Sequence, residues 1–224
     1  DTKKVDLSTL PITPIQTMAK IKVKAVDENG KTSLSNELDM YVGYSYHRVL
    51  VSSSGFDKYS DPLLLPFFSA ANATSYGYED AMANNGAVDI GFSSWGTNTQ
   101  FGVVNPVGAD ISKFGHPTAR PTASNWPSRQ SIKFREESSV IKRSNFDVST
   151  IEQILSLPAP TVTATVYLTT GSYDNPKDIS VMYETKIGGV TKRVVFCFDE
   201  LEKPLAELPA HSGSRFYIKV KIEK

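Results

Sequence analysis

The chain has 224 residues, with 24 Lys or Arg against 24 Asp or Glu, so it is long enough for one large β domain or two small ones and carries no formal net charge. Balanced charge leaves no electrostatic footprint for nucleic acid or an anionic bilayer, and without an apolar run of about 18 residues no transmembrane helix is expected. A single cysteine, Cys197, excludes an intramolecular disulfide and any multi-cysteine metal site. In chain order, residues 1–15 are polar and broken by Pro11 and Pro14, which predicts an extended lead-in. Ile21 and Val23 then alternate with Lys20, Lys22 and Lys24, as in an amphipathic strand. Asp27-Glu28-Asn29-Gly30 predicts a turn, Asn-Gly being a strong hairpin signal, and residues 32–42 return as a second strand.

The run from Lys24 to Ser33, followed by Ser35-Asn36-Glu37, resembles the last two strands of a fibronectin type III or related immunoglobulin-like module. A whole module needs about 100 residues, and this hairpin alone would expose an apolar edge. Residues 1–43 are therefore expected to form a lead-in and hairpin joined to a β-sandwich domain over residues 44–224.

Within that domain, residues 44–51 predict a strand, and the proline-bracketed apolar run from Asp61 to Phe68 predicts an edge strand or an irregular buried segment. The stretch Tyr78 to Val104 changes character fastest. Residues 78–83 have helical character, Asn84-Asn85-Gly86 is turn chemistry, and Val88, Ile90 and Phe92 point to one side of a strand with Asp89 and Gly91 on the other. Ser93 to Gln100 predicts a surface loop in which Trp95 either folds over the core edge or is displayed to a ligand. Residues 104–129 lack any sustained period and hold His116, Arg120 and Trp126, which makes this the loop best placed for a site.

Ile132 and Phe134 resume a strand, while Lys133 to Arg143, interrupted by Glu136 and Glu137, predicts a solvated face. Ser149 and Glu152 have capping-box spacing for a helix ending before Pro158, with Phe146, Ile151, Ile154 and Leu155 as its buried stripe. The last third is strand: residues 162–168, then 179–187, a Gly188-Gly189 hairpin loop, 190–198 with Cys197 buried among apolar neighbours, and 215–222 with Phe216, Ile218, Val220 and Ile222 inward. Residues 199–208 predict a short polar segment with a helix as one option.

No metal-ligand spacing surrounds His47, His116 or His211, and no nucleophile, phosphate-loop or dinucleotide motif occurs, so no cofactor is expected. Asp89 is the most interesting acid. It is expected either to bond the amides of a neighbouring loop or to belong to an unidentified acid pair of a glycosidase. Trp95 and Trp126, with Asn98, Arg120 and Arg129 near in sequence, are the candidate ligand-binding residues, since flat rings with polar neighbours suit a sugar.

Phe67-Phe68-Ser69, Tyr78-Glu79-Asp80-Ala81, Val88 to Phe92, Ser144-Asn145-Phe146-Asp147 and Arg215 to Val220 together resemble the secreted β-sandwich lipoproteins of gut Bacteroidetes. The resemblance implies export and tethering at the outer membrane through a lipid anchor upstream of Asp1, and it carries no catalytic motif. The fold expected is all-β, an antiparallel sandwich, immunoglobulin-like or jelly-roll-like, with one or two short helices. The function expected is non-enzymatic surface binding of a polysaccharide, with adhesion to another surface protein and glycoside hydrolysis as alternatives.

Overall fold

The computed structural model describes residues 18–22, 24–36, 38–41, 43–52, 64–95, 100–104, 132–162, 166–168, 175–202 and 215–224. Ahead of the main body lie β1 (Met18–Ile21), β2 (Lys24–Val26), β3 (Thr32–Leu34) and β4 (Leu38–Tyr41). The body contains β5 (Tyr44–Ser52), β6 (Phe67–Ser69), β7 (Thr74–Tyr76), α1 (Tyr78–Ala83), β8 (Ile90–Trp95), β9 (Gln100–Val104) and β10 (Phe134–Glu137). It continues with α2 (Ile151–Ser156), β11 (Val166–Tyr167), β12 (Ser180–Ile187), β13 (Val190–Leu201) and β14 (Arg215–Glu223).

Strands β1 and β4, and β2 and β3, pair antiparallel as one hairpin whose register shifts by one residue between the two ladders. Its turn is held as the Asp-Glu-Asn-Gly run predicts: Asp27 Oδ1 accepts from the Asn29 and Lys31 amides at 2.9 and 2.8 Å, and Gly30 takes φ +77°. In the body, one five-stranded sheet runs β10-β12-β13-β14-β5 and a second runs β11-β9-β8-β6-β7, with every pair antiparallel.

Period-two alternation makes this a sandwich. Val49 and Val51, Val181 and Tyr183, Val194 and Phe196, and Phe216, Ile218 and Val220 meet Phe68, Ile90, Phe92 and Val103 of the other sheet in one core. Phe92 stands edge-on to Phe196 and Phe216, with ring centroids 6.0 and 5.5 Å away. The β12–β13 hairpin turns on Gly188 and Gly189 at φ +59° and +83°, the left-handed pair that a primed turn needs.

Several elements differ from expectation. Strand β8 continues through Trp95 instead of ending at Phe92, because residues 93–95 pair with Gly102, Phe101 and Gln100. Strand β6 is flanked by both β7 and β8, so of the two expectations for Asp61 to Phe68 the edge strand fails, while the irregular buried segment fits residues 64–66, where Leu64 and Pro66 are buried; residues 61–63 lie outside the described residues. Strand β13 runs on to Leu201: a bulge between Phe198 and Glu200 resets the face, so that Leu201 pairs with Phe216 and packs on the core.

A second, smaller core covers the outer face of the first sheet. Ile141, Phe146, Ile154 and Leu157 pack there on Tyr44, Met182, Val195 and Cys197. Burial pushes the Cys197 thiol up to about 12, so it is an inert apolar side chain at neutral pH. Helix α2 starts one residue later than the Ser149 box: Thr150 Oγ1 accepts from the Gln153 amide at 3.3 Å, and Gln153 Oε1 accepts from the Thr150 amide at 2.8 Å. With fewer than two turns the helix buries only Ile154, and Leu155 faces solvent. Its last carbonyls are met by Arg193, whose Nη1 donates to Ile154, Leu155 and Leu157 at 2.9, 2.6 and 2.9 Å.

The acidic interruption at residues 136–137 is not a uniform solvated face, because Glu137 is 2% exposed. Its Oε1 accepts from the Ser139 amide and hydroxyl, both at 2.6 Å, and from the Val140 amide at 2.8 Å. Burial raises its pKa, but the Ser139 hydroxyl, the two amides and Arg135 outweigh that and bring it to about 2. A depressed carboxyl contributes stability above the ordinary value of 4.5 and loses it as pH falls toward 2. Acid unfolding of Glu137→Gln is therefore expected to be shallower across that window than that of the native chain, by about 3 kcal/mol over the full span. Urea melts at pH 5, 4 and 3 check this, and parallel curves would refute it.

Candidate functional site

The first sheet changes character at one end. Along β5 the inward positions read Ser45, His47, Val49 and Val51: the last two lie in the core, and the first two line a cleft beyond it. Along β14 the inward residues from Phe216 to Ile222 are followed by Lys224, and on β13 the inward position before Val194 is Lys192. Continuing the Val194–Ile222 register by one inward step puts Lys192 across from Lys224, while Lys192 also pairs with Thr185 of β12. Four inward positions that elsewhere hold apolar side chains thus hold a hydroxyl, an imidazole and two ammonium groups.

The second sheet covers this end only partly, through the β6–β7 turn. Ala70, Ala71 and Ala73 of that turn, with Ile187 and Ile222, form an apolar floor to a cleft of about 390 Å³, and Asn72 stands beside them. The turn is tight. The Ala73 amide donates to the Ala70 carbonyl at 3.3 Å, the Asn72 amide to Ser69 Oγ at 3.3 Å, and Asn72 Nδ2 to the Tyr76 hydroxyl at 2.6 Å. Ala73 sits at φ +49°, a left-handed conformation that costs an L-residue about 1–2 kcal/mol. Ala73→Gly should relieve this and, after the added chain entropy of glycine, stabilise the fold by about 0.5 kcal/mol, whereas Ala73→Val should destabilise it. Thermal melts of the two variants test the sign; a lower melting temperature for Ala73→Gly would show that the turn is not strained.

Asp89 fixes the turn from behind. It precedes β8, and its Oδ2 accepts from the Ala70 amide at 2.6 Å and the Tyr183 hydroxyl at 3.3 Å, while Oδ1 accepts from the Thr185 hydroxyl at 2.5 Å. One carboxyl joins the turn of the second sheet to β12 of the first. Burial raises its pKa, and the donations from Thr185, Ala70 and Tyr183 hold the rise back. A smaller cavity of about 130 Å³ lies against Asp89, Thr185 and Ile132 and shares Ala71 with the cleft as a lining residue. The loop-bonding role expected of Asp89 is what it performs, and its three donors commit both of its oxygens.

In the cleft, burial and then the Lys224 charge lower the His47 pKa below 6.5, so the ring is neutral at pH 7 and offers one donor and one acceptor. Among the described residues, the side chains of Ser45, His47, Lys192 and Lys224 have no hydrogen-bond or ion-pair partner. Glu223, the carboxylate at the rim, accepts from the Arg193 amide at 2.9 Å. No group of three or more potential metal ligands occurs among the described residues. The arrangement offers hydrogen bonding and positive charge over an apolar floor.

Of the residues singled out from sequence, Trp95 lies on β8 across from Gln100, on a strand and not in a loop. Asn98, Arg120, Trp126 and Arg129 lie outside the described residues. The cleft residues were missed because His47 is a lone histidine in a strand. The signal that could have found them is the inward series Ser45, His47, Val49, Val51, which turns polar toward one end.

No family model matches this chain. Comparison with curated proteins and with solved structures finds no match either.

Proposed function

We propose that the chain is a non-enzymatic binding module that holds a saccharide in the cleft at the open end of the sandwich. The observation that carries this is the set of four unpartnered polar side chains, Ser45, His47, Lys192 and Lys224, over the alanine and isoleucine floor. Hydroxyl, imidazole and ammonium groups match the donors and acceptors of sugar hydroxyls, and the floor suits the CH face of a ring. A cleft of about 390 Å³ falls within the roughly 300–1,000 Å³ usual for ligand sites. Attachment at a cell surface, as a lipoprotein, is supported by the resemblance of the core motifs to exported lipoproteins.

A second reading, adhesion to another protein, draws on the outer hairpin. Val26 and Leu34 share one of its faces and are 58% and 65% exposed.

Titration with a panel of soluble polysaccharides, followed by calorimetry and tryptophan emission, decides between the readings. Saturable binding that is lost in His47→Ala and kept in Trp95→Ala and Trp126→Ala places the ligand in the cleft. Binding that survives His47→Ala and fails in a tryptophan variant moves the site to the aromatic residues. If no polysaccharide binds, the saccharide reading is refuted and adhesion takes its place.

A further inference from the structure

We infer that the ligand is acidic: the cleft takes the oxyanion of a charged sugar, a carboxylate or a sulfate, between Lys192 and Lys224. This rests on the saccharide reading above and names the ligand's chemical class. The β13–β14 ladder ends at Val194 and Ile222, and one further inward step along each strand leads to Lys192 and Lys224, both of which line the cleft. Neither has an ion-pair partner among the described residues.

Four other cations of the same sheet have carboxylate partners. Lys219 meets Asp147 at 2.6 Å, Arg48 meets Asp199 at 2.6 Å, Arg215 meets Glu202 at 2.5 Å and Arg193 meets Glu184 at 3.3 Å. Among the described residues neither Lys192 nor Lys224 has an ion-pair partner, and the one carboxylate at the rim, Glu223, accepts from a backbone amide. An incoming oxyanion gains charge-assisted hydrogen bonds from the ammonium groups, with Ser45 and the neutral His47 ring at hand for its hydroxyls.

The test is calorimetry on the whole chain with three oligosaccharides of equal length: a galacturonate oligomer, a sulfated galactan oligomer and a neutral mannan oligomer. One acidic oligomer is expected to bind at least about tenfold more tightly than the neutral one, the size of one charge-assisted contact. Added salt should narrow the gap, since the lysines are solvent-accessible. Lys192→Met and Lys224→Met should each remove most of the advantage, and Lys192→Arg should retain it. Equal affinity for acidic and neutral oligomers, unchanged in the Met variants, overturns the charge inference and leaves the saccharide reading standing. If none of the three binds and the wider polysaccharide panel also fails, both fall. Which acidic oligomer is preferred separates the carboxylate from the sulfate.

Discussion

Replacing Asp89 by alanine is expected to lower the stability of the fold by about 3 kcal/mol, the cost of leaving buried donors without an acceptor. The substitution strands the Ala70 amide and the Thr185 and Tyr183 hydroxyls at once, and these belong to both sheets. The two hydroxyls can rotate and the Ala70 amide cannot, so the amide and the turn it begins carry the largest share of the loss. Asp89→Asn keeps one acceptor and sets an amide group against the remaining donors, so it should recover only part of the loss. Because burial raises this carboxyl's pKa, the native state holds the proton more tightly than the unfolded chain does. Its contribution therefore falls as pH rises from the ordinary 3.8 through the raised value, and Asp89→Asn should flatten that slope. Denaturant melts of both variants check the magnitude. A loss under about 0.5 kcal/mol, the scale of an ordinary surface substitution, would mean that Asp89 does not join the sheets.

Lys221→Ala should cost a similar amount, about 3 kcal/mol, for a different reason. This lysine is fully buried on the outer face of the first sheet. Its ammonium donates to the Ser149 carbonyl at 2.7 Å, to Ser149 Oγ at 3.0 Å and to the Asp147 carbonyl at 3.3 Å. It also lies 4.7 and 5.2 Å from the ring centroids of Tyr44 and Phe146. It pins the segment that carries Phe146 and leads into α2. Lys221→Met restores the packing of the stem and removes the buried charge but leaves the two carbonyls without their donor, so it should cost less than alanine.

Burial lowers the Lys221 pKa from 10.5 to about 8, against the pull of Asp147. Below pH 8 both states carry the proton and the native state bears the full cost of the buried charge. Between about 8 and 10.5 the native amine is neutral while the unfolded one is still charged, so stability rises with pH, on the order of 3 kcal/mol across the window. Melts of the native chain against Lys221→Met at pH 7, 9 and 10.5 should diverge accordingly; identical slopes would contradict the assignment.

The parts of the fold readable in the sequence are those fixed by short-range chemistry. Period-two alternation located β12, β13 and β14 with their inward faces, Gly188-Gly189 located their hairpin, and Asp27 to Gly30 located the first turn. What escaped depends on partners distant in the chain. Leu201 joins the core only because a bulge at Asp199 resets its face, and Trp95 belongs to a strand because Gln100 pairs with it. Glu137 is buried because the backbone turns back to offer it two amides, which a charge count cannot show. The cleft was least legible of all, since it is assembled from β5, β13, β14 and the turn at residues 70–73.

The most direct test of the cleft is a map of backbone amide shifts in solution during titration with the oligosaccharide that binds best. Saturable changes are expected at His47, at the turn from Ala70 to Ala73 and at Lys192, with residues 24–34 of the hairpin unmoved. Changes confined to that hairpin, or saturable binding that leaves the turn and Lys192 unshifted, would contradict a ligand site in the cleft.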